Sequence, residues 1–292
     1  AQPDPLPDDA LRRIREAFEE MEPAEPVTPP DRVMDSLMAV WPVMDMHFGM
    51  HAWGRETGGP DYDVTQAKSD LQYATEKVLA LTPATREAVL ILGGDTLHAD
   101  DTTSQTPRSG HALDTDGRHY RVVEHAIQAV GFLIERLLSR CGTLTVRVLR
   151  GNHDEHSHMV LAFAIAERFR RDARLTVEKD PRDLFMKQWG NVAVFSHHGD
   201  KAKPEQMALQ LADVCPFWSA CRHRYALTGH VHHHQAKDIG GLRWESLRAF
   251  CPPDSYAAGM GYTSRRAMQA LIFDRQDGLV LRATDPIERL AG

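Results

Sequence analysis

Five short apolar runs, each closing on a cluster of Asp, Asn or His, constrain this chain more than any other feature. Ala39-Val40-Trp41-Pro42-Val43-Met44 runs into Asp45-Met46-His47, and Ala88-Val89-Leu90-Ile91-Leu92 runs into Gly93-Gly94-Asp95. Leu144 to Leu149 is followed by Gly151-Asn152-His153-Asp154-Glu155, Asn191 to Ser196 by His197-His198-Gly199-Asp200, and Arg224 to Thr228 by Gly229-His230-Val231-His232. Apolar runs of this length, bounded by turn formers, read as buried strands. Between them lie amphipathic helical patterns over 67–81, 120–139 and 160–170, and a hairpin pattern follows over 268–274 and 279–284, turning at Gln276-Asp277-Gly278. Strands alternating with helices, then a β-rich end, predict an α/β fold with packed sheets. In such folds ligands gather at the carboxyl ends of strands, so the five polar clusters are expected to meet in one place.

The chemistry those clusters suit is metal binding. A carboxylate can bridge two cations, and imidazole holds borderline metals such as zinc, manganese and iron. Asp45 and His47, two residues apart on a strand or tight turn, are expected to face the same side, and His230 and His232 repeat the spacing. The glycines allow close backbone approach. Sixteen histidines in 292 residues make such a cluster affordable in composition.

Taken in order, the five motifs resemble the calcineurin-like metallophosphoesterase superfamily, over about residue 39 to the end. The resemblance implies a four-layer αββα sandwich, two mixed β-sheets flanked by helices, with a dinuclear metal site. It implies Asp45, His47 and His232 on the first metal, Asn152 and His230 on the second, and Asp95 bridging both. The remaining ligand comes from His197-His198-Gly199; the family places it directly before a glycine, which selects His198, with His197 as the alternative. His153 matches the family's catalytic histidine, which stabilises the transition state or protonates the leaving oxygen. The implied cofactors are two divalent ions, manganese first, with zinc, iron(II) or nickel as alternatives, activating a water for in-line attack on phosphorus.

One departure bears on substrate. The family's protein phosphatases carry Asp three residues after the bridging Asp, where this chain has His98. Gly94-Asp95-Thr96-Leu97-His98 is similar to the double-strand-break-repair nucleases of the superfamily. With His198-Gly199-Asp200-Lys201 it also resembles phage- and prophage-encoded members. His98 is therefore a second catalytic candidate. The expected activity is hydrolysis of phosphodiesters, in nucleotides or nucleic acid with DNA among the candidates. The alternative is a small-molecule or protein phosphomonoesterase, and a third reading is a binding module with an incidental metal. A formal charge of −7 argues against non-specific DNA binding through bulk charge.

Other features are weighed more lightly. Asp154 orients His153 or caps the next helix; Asp100 and Asp101 read as loop acids, and His233 and His234 as exposed flanks. Cys215, Cys221 and His223 do not match zinc-knuckle spacing. Lys201, Lys203, Arg222, Arg224, Arg265 and Arg266 read as a solvated basic face before they read as phosphate contacts, and Trp53 stacks on substrate or packs. The polar stretch 95–118 is long enough to shape a site. Residues 1–32 read as an N-terminal helix near 9–21 with a proline-rich linker, and 33–292 as the catalytic domain. The chain starts at Ala1 without an initiator Met, so something is expected to have preceded it. Four cysteines suggest reduced thiols and a cytoplasmic location. No apolar run reaches the roughly 18 residues of a membrane span, so no membrane partner is expected.

Overall fold

A computed structural model describes residues 22–287. The helix expected near 9–21 lies outside the described residues. Among the described residues, eleven strands form two sheets. The larger holds β1 (Met34–Val43), β2 (Thr85–Leu92), β3 (Cys141–Val148), β4 (Leu175–Glu178), β10 (Met268–Asp274) and β11 (Gly278–Asp285), in the order β11-β10-β1-β2-β3-β4. The smaller holds β5 (Phe185–Trp189), β6 (Val192–Ser196), β7 (His223–Thr228), β8 (Gln235–Ile239) and β9 (Leu242–Ser246), in the order β5-β6-β7-β9-β8. β1 to β4 run parallel, as do β6, β7 and β9, while β10, β11, β5 and β8 pair antiparallel.

Helices flank both sheets, giving the expected mixed α/β sandwich. α2 (Val64–Ala80), α3 (His119–Leu138) and α4 (Ser157–Arg168) cover the larger sheet, and α5 (Pro204–Val214) covers the smaller. The short α1 (Gly54–Thr57) and α6 (Ser255–Gly259) lie in loops. Period-2 side-chain alternation explains why the strands read as continuous apolar runs: both faces are buried. In β1, Ala39, Trp41 and Val43 face the helices, whereas Met38 and Val40 face the second sheet. Val89 and Ile91 of β2 join Val192 and Val194 of β6 in the layer between the sheets. On the far side, Ala193 and Phe195 of β6 meet Met207 and Leu211 of α5. In α3, Val122, Ala126, Ala129, Val130, Leu133, Ile134 and Leu137 make the buried stripe that a 3.6-residue period produces.

The sequence reading placed the main elements within a few residues but missed β4, β5, α5, β8 and β9. β8 is a largely exposed polar edge strand, Gln-Ala-Lys-Asp-Ile, with no apolar alternation to mark it. β8 and β9 turn through Gly240 and Gly241, both with positive φ (55° and 83°), the geometry of a two-residue hairpin. That Gly-Gly pair was the available signal. The proline-rich segment beyond residue 22 packs on the body: Ala24 N–H donates to the Arg168 carbonyl at 2.7 Å, and Val27 N–H to Asp172 at 3.1 Å. No helix among the described residues is long and apolar enough to cross a membrane.

Register is what positions the site. Val43 pairs with Leu92 and Leu92 with Val148, so β1, β2 and β3 end level. Ser196 pairs with Leu227 and Thr228 with Ser246, so β6, β7 and β9 also end level. Six loops therefore start along one edge of the sandwich. The two sheets depend on the layer between them: Ile91 is fully buried there, so Ile91→Ala is expected to lower unfolding free energy by about 2–5 kcal/mol and Ile91→Val by about 0.5–1.5 kcal/mol. Urea denaturation checks this, with a shifted midpoint and an unchanged slope.

Candidate metal centre

The loops after β1 and β2 leave side by side. His47 N–H donates to the Asp95 carbonyl, Phe48 N–H to that of Thr96 and His98 N–H to that of Phe48, each at 2.9 Å. Asp154 locks this pair to the loop after β3. Its fully buried carboxylate accepts N–H bonds from Asp95 (3.2 Å), Thr96 (2.8 Å), Leu97 (3.3 Å) and Gly151 (2.8 Å). Burial, and then the nearby Asp95 charge, push its pKa up to about 7. The Asp154 side chain thus neither orients the His153 ring nor caps α4; only its carbonyl reaches that helix, accepting from His158 N–H at 3.3 Å. Asp100 serves α4 instead, accepting from the N–H groups of His156 and Ser157 and pairing with His156 Nδ1 at 2.6 Å.

The second sheet is stitched to the first at the same edge. His198 Nδ1 lies 2.9 Å from the Gly93 carbonyl, so that nitrogen carries a proton. His230 N–H sits 3.0 Å from both Asp45 carboxylate oxygens. The segment after β9 joins in, with Phe250 N–H donating to the Met44 carbonyl at 2.8 Å and Cys251 N–H to that of Asp45 at 3.2 Å. Arg150 braces the outside, with Nε 2.9 Å from Asp183, Nη1 3.2 Å from Glu155 and Nη2 3.6 Å from Asp200.

Asp45 and His47 do not sit on a strand, since β1 ends at Val43. They reach the centre through left-handed backbone. Of the seven non-glycine residues with positive φ among those described, five are Asp45, His47, Asp95, His230 and His232. Asp and His tolerate this region better than most residues, and such conformations persist only where surroundings enforce them.

The polar atoms converge as follows. Asp95 Oδ1 accepts from His153 N–H at 2.8 Å. Asp95 Oδ2 lies 3.2 Å from His198 Nε2 and 3.9 Å from His47 Nε2. His198 Nε2 is also 3.2 Å from Asn152 Oδ1, and His232 Nε2 is 3.6 Å from Asp45 Oδ1. Ligand atoms within 4.8 Å of one another form four groups that could hold a metal: Asp45-His47-Asp95, His47-His232-Cys251, Asp95-His198-His230 and His47-His98-His153. Asp95 belongs to groups on both sides. His47 Nε2 is buried without a hydrogen-bond partner, an orphan of the kind a cation satisfies. These residues fit one or two divalent ions. Burial, and then the neighbouring His153, keep the His47 imidazole well below its usual pKa, the neutral form a metal ligand needs. Burial opposes charge on His198, yet Asp95 and Asp45 outweigh it and raise the imidazole to about 10.

His198, not His197, faces the centre; His197 Nδ1 is taken by Gly199 N–H at 2.9 Å. His153 lines the cleft, and its Nδ1–H donates to the His98 carbonyl at 2.8 Å. The His98 side chain lies behind His47 and His153: it is 1% exposed, its Nδ1 meets His47 Nδ1 at 3.0 Å, and its ring stacks on that of His153 with centroids 5.3 Å apart. Burial drives its pKa down to about 3, so it is neutral.

The cleft, about 220 Å³, is walled by His111, Leu113, Tyr256, Tyr262, Arg265 and Cys251 beside the cluster. Sequence reasoning gave no role to His111, Tyr256, Tyr262 or Cys251; the last was missed because the short strand that delivers it, β9, was not seen. Arg265 and Arg266, read together from sequence, part company: Arg265 lines the cleft, whereas Arg266 is buried 2.7 Å from Asp70. His233 and His234 stay outside, His234 pairing with Glu245 at 3.2 Å. Trp53 is half exposed beneath the Arg55 guanidinium and is not part of the cleft wall. All four cysteines are free and buried.

No protein-family model matches the chain, and no curated protein matches it. Among solved structures, Vps29 complexed with zinc from Entamoeba histolytica is 12% identical, covering 86% of this chain and 100% of its own, with a TM-score of 0.35. A predicted phosphoesterase from Streptococcus pneumoniae is 10% identical, covering 85% and 97%, with a TM-score of 0.30. Phosphopantetheinyl hydrolase from Mycobacterium tuberculosis is 11% identical, covering 74% and 91%, with a TM-score of 0.35. Likenesses this weak add nothing to what the sheets and the cluster already establish.

The packing at Gly151 yields a direct prediction. A Cβ there would lie 2.0 Å from Asp95 Oδ1 and 2.2 Å from Asp95 N, so the backbone must move. Gly151→Ala is expected to leave a folded chain whose divalent-metal affinity falls by about 10- to 100-fold, the scale of lost outer support at metal sites. Isothermal titration calorimetry with circular dichroism as the folding control checks it.

Proposed function

We propose that this chain is a metal-dependent phosphoesterase that hydrolyses phosphodiesters, with a nucleotide or a nucleic-acid strand as substrate. The observation that carries the reading is the division of labour within one carboxylate. Asp95 Oδ1 is fixed by His153 N–H at 2.8 Å, leaving Oδ2 between His198 Nε2 and His47 Nε2. That is the arrangement a bridging ligand requires. On this reading Asp45, His47 and His232 hold one ion, Asn152, His198 and His230 the other, and Asp95 is shared. Bound there, two divalent ions supply charge neutralisation for a phosphate group and a water of lowered pKa.

The chain's own groups do the rest. His153 donates Nδ1–H to a carbonyl, which fixes the ring and leaves Nε2 for proton transfer to the leaving oxygen. The family's protein phosphatases use a carboxylate at position 98 to orient this histidine, and here a peptide carbonyl takes its place. The His98 side chain acts on His47: neutral and buried, it pairs with His47 Nδ1 and so would leave His47 Nε2 to hold a metal. We read it as a positioning residue.

Support for an aromatic-bearing diester comes from the cleft wall. Tyr256 and Tyr262 are 52% and 56% exposed beside the cluster, and His111 packs against Tyr256 with ring centroids 4.6 Å apart. Exposed rings next to a phosphate-binding centre suit base stacking. Arg265, in the same wall, suits a phosphate oxygen.

With manganese, zinc or iron added, the protein is expected to hydrolyse bis-p-nitrophenyl phosphate faster than p-nitrophenyl phosphate. Asp95→Ala should abolish turnover, and His153→Ala should lower kcat by about 10²- to 10⁴-fold with metal content retained. Turnover of the monoester alone makes the protein a phosphomonoesterase. No turnover of any phosphoester with any of these metals overturns the reading.

A further inference from the structure

We propose that Cys251 is a ligand of the centre, on the side of His47 and His232, and makes that side select a thiophilic metal. The proposal rests on reading the cluster as a metal centre. Cys251 Sγ and one ring nitrogen each of His47 and His232 all lie within 4.8 Å of one another. Among the described residues, Cys251 is the one thiol in any such group. Cys251 is 3% exposed and in the cleft wall, and His47 Nε2 is buried without a partner.

Its arrival at the centre is built into the fold. β9 ends level with β7, and Leu247 N–H continues the ladder to the Thr228 carbonyl at 2.8 Å. The chain then crosses to the other sheet, where the bonds of Phe250 and Cys251 to the Met44 and Asp45 carbonyls fix it. Cys251 is thus held by the backbone of a ligand residue, not merely packed in the core near it.

A thiolate is a soft ligand. It favours zinc, iron(II) and cobalt(II) over manganese, which prefers oxygen donors. Coordination exchanges the S–H bond for a sulfur–metal bond and releases one proton to solvent. The opposite side, Asp95, Asn152, His198 and His230, offers only oxygen and nitrogen. The two halves are therefore chemically unequal, and a mixed pair of ions, with the softer one beside Cys251, is the expected occupancy.

Cobalt(II) tests this on the full chain under anaerobic, reducing conditions. The wild type should bind cobalt and show an intense near-ultraviolet sulfur-to-cobalt absorption band. Cys251→Ser and Cys251→Ala should lose the band while Cys215→Ser keeps it, with circular dichroism reporting the fold of each. Zinc affinity should fall by at least about 10-fold in Cys251→Ser, and manganese affinity should stay unchanged. Cobalt bound by the wild type without the band, or a band that survives in Cys251→Ala, overturns the proposal. A wild type that shows the band but hydrolyses no phosphoester overturns the functional reading and leaves Cys251 a ligand. Hydrolysis with cobalt and no band does the reverse, and no cobalt binding overturns both.

Discussion

The centre depends on one buried carboxylate that touches none of its candidate ligand atoms. Asp154 gathers four backbone N–H groups, from Asp95, Thr96, Leu97 and Gly151, and so fuses the loops after β2 and β3. Asp95 can then present one oxygen to two imidazoles because its backbone and its other oxygen are both held. The same logic extends outward through the His47–Asp95 and Phe48–Thr96 hydrogen bonds to the loop after β1, and through His230 N–H to the second sheet.

This bracing explains the backbone of the cluster. Each left-handed non-glycine residue costs of order 1–3 kcal/mol unless its surroundings over-determine it, and five gather here. Hydrogen bonds between loops from two sheets supply that determination. The left-handed turns serve a purpose that a strand cannot: they bend Asp45 and His47, and His230 and His232, inward past the end of the ladder instead of letting them alternate across it.

Much of this was legible in the sequence, and the parts that were not have physical reasons. Buried parallel strands announce themselves because both faces are apolar, and the polar clusters after them mark the edge where the candidate ligands meet. His198 was chosen over His197 for its place directly before Gly199, and the hydrogen bond from Gly199 N–H to His197 Nδ1 shows the physical form of that choice. Cys251 escaped because β9 is short, carries Arg243 and Glu245, and pairs with an exposed polar edge strand. The role of Asp154 escaped because its partners are backbone amides, which leave no trace in residue type. Arg265 and Arg266 look alike as letters, and only packing separates a cleft wall from a buried ion pair.

The bond that aims His153 has one more implication. Its acceptor is the peptide carbonyl of residue 98, not a side chain. No coding change at that position deletes the acceptor, so this bond survives substitution in a way that a bond to a carboxylate side chain does not. The side chain of residue 98 can therefore change without removing that bond, although its ring touches both histidines, stacking on His153 and meeting His47 Nδ1. Two contacts meet at one residue and differ in kind, because the carbonyl bond belongs to the main chain and the ring contacts to the side chain.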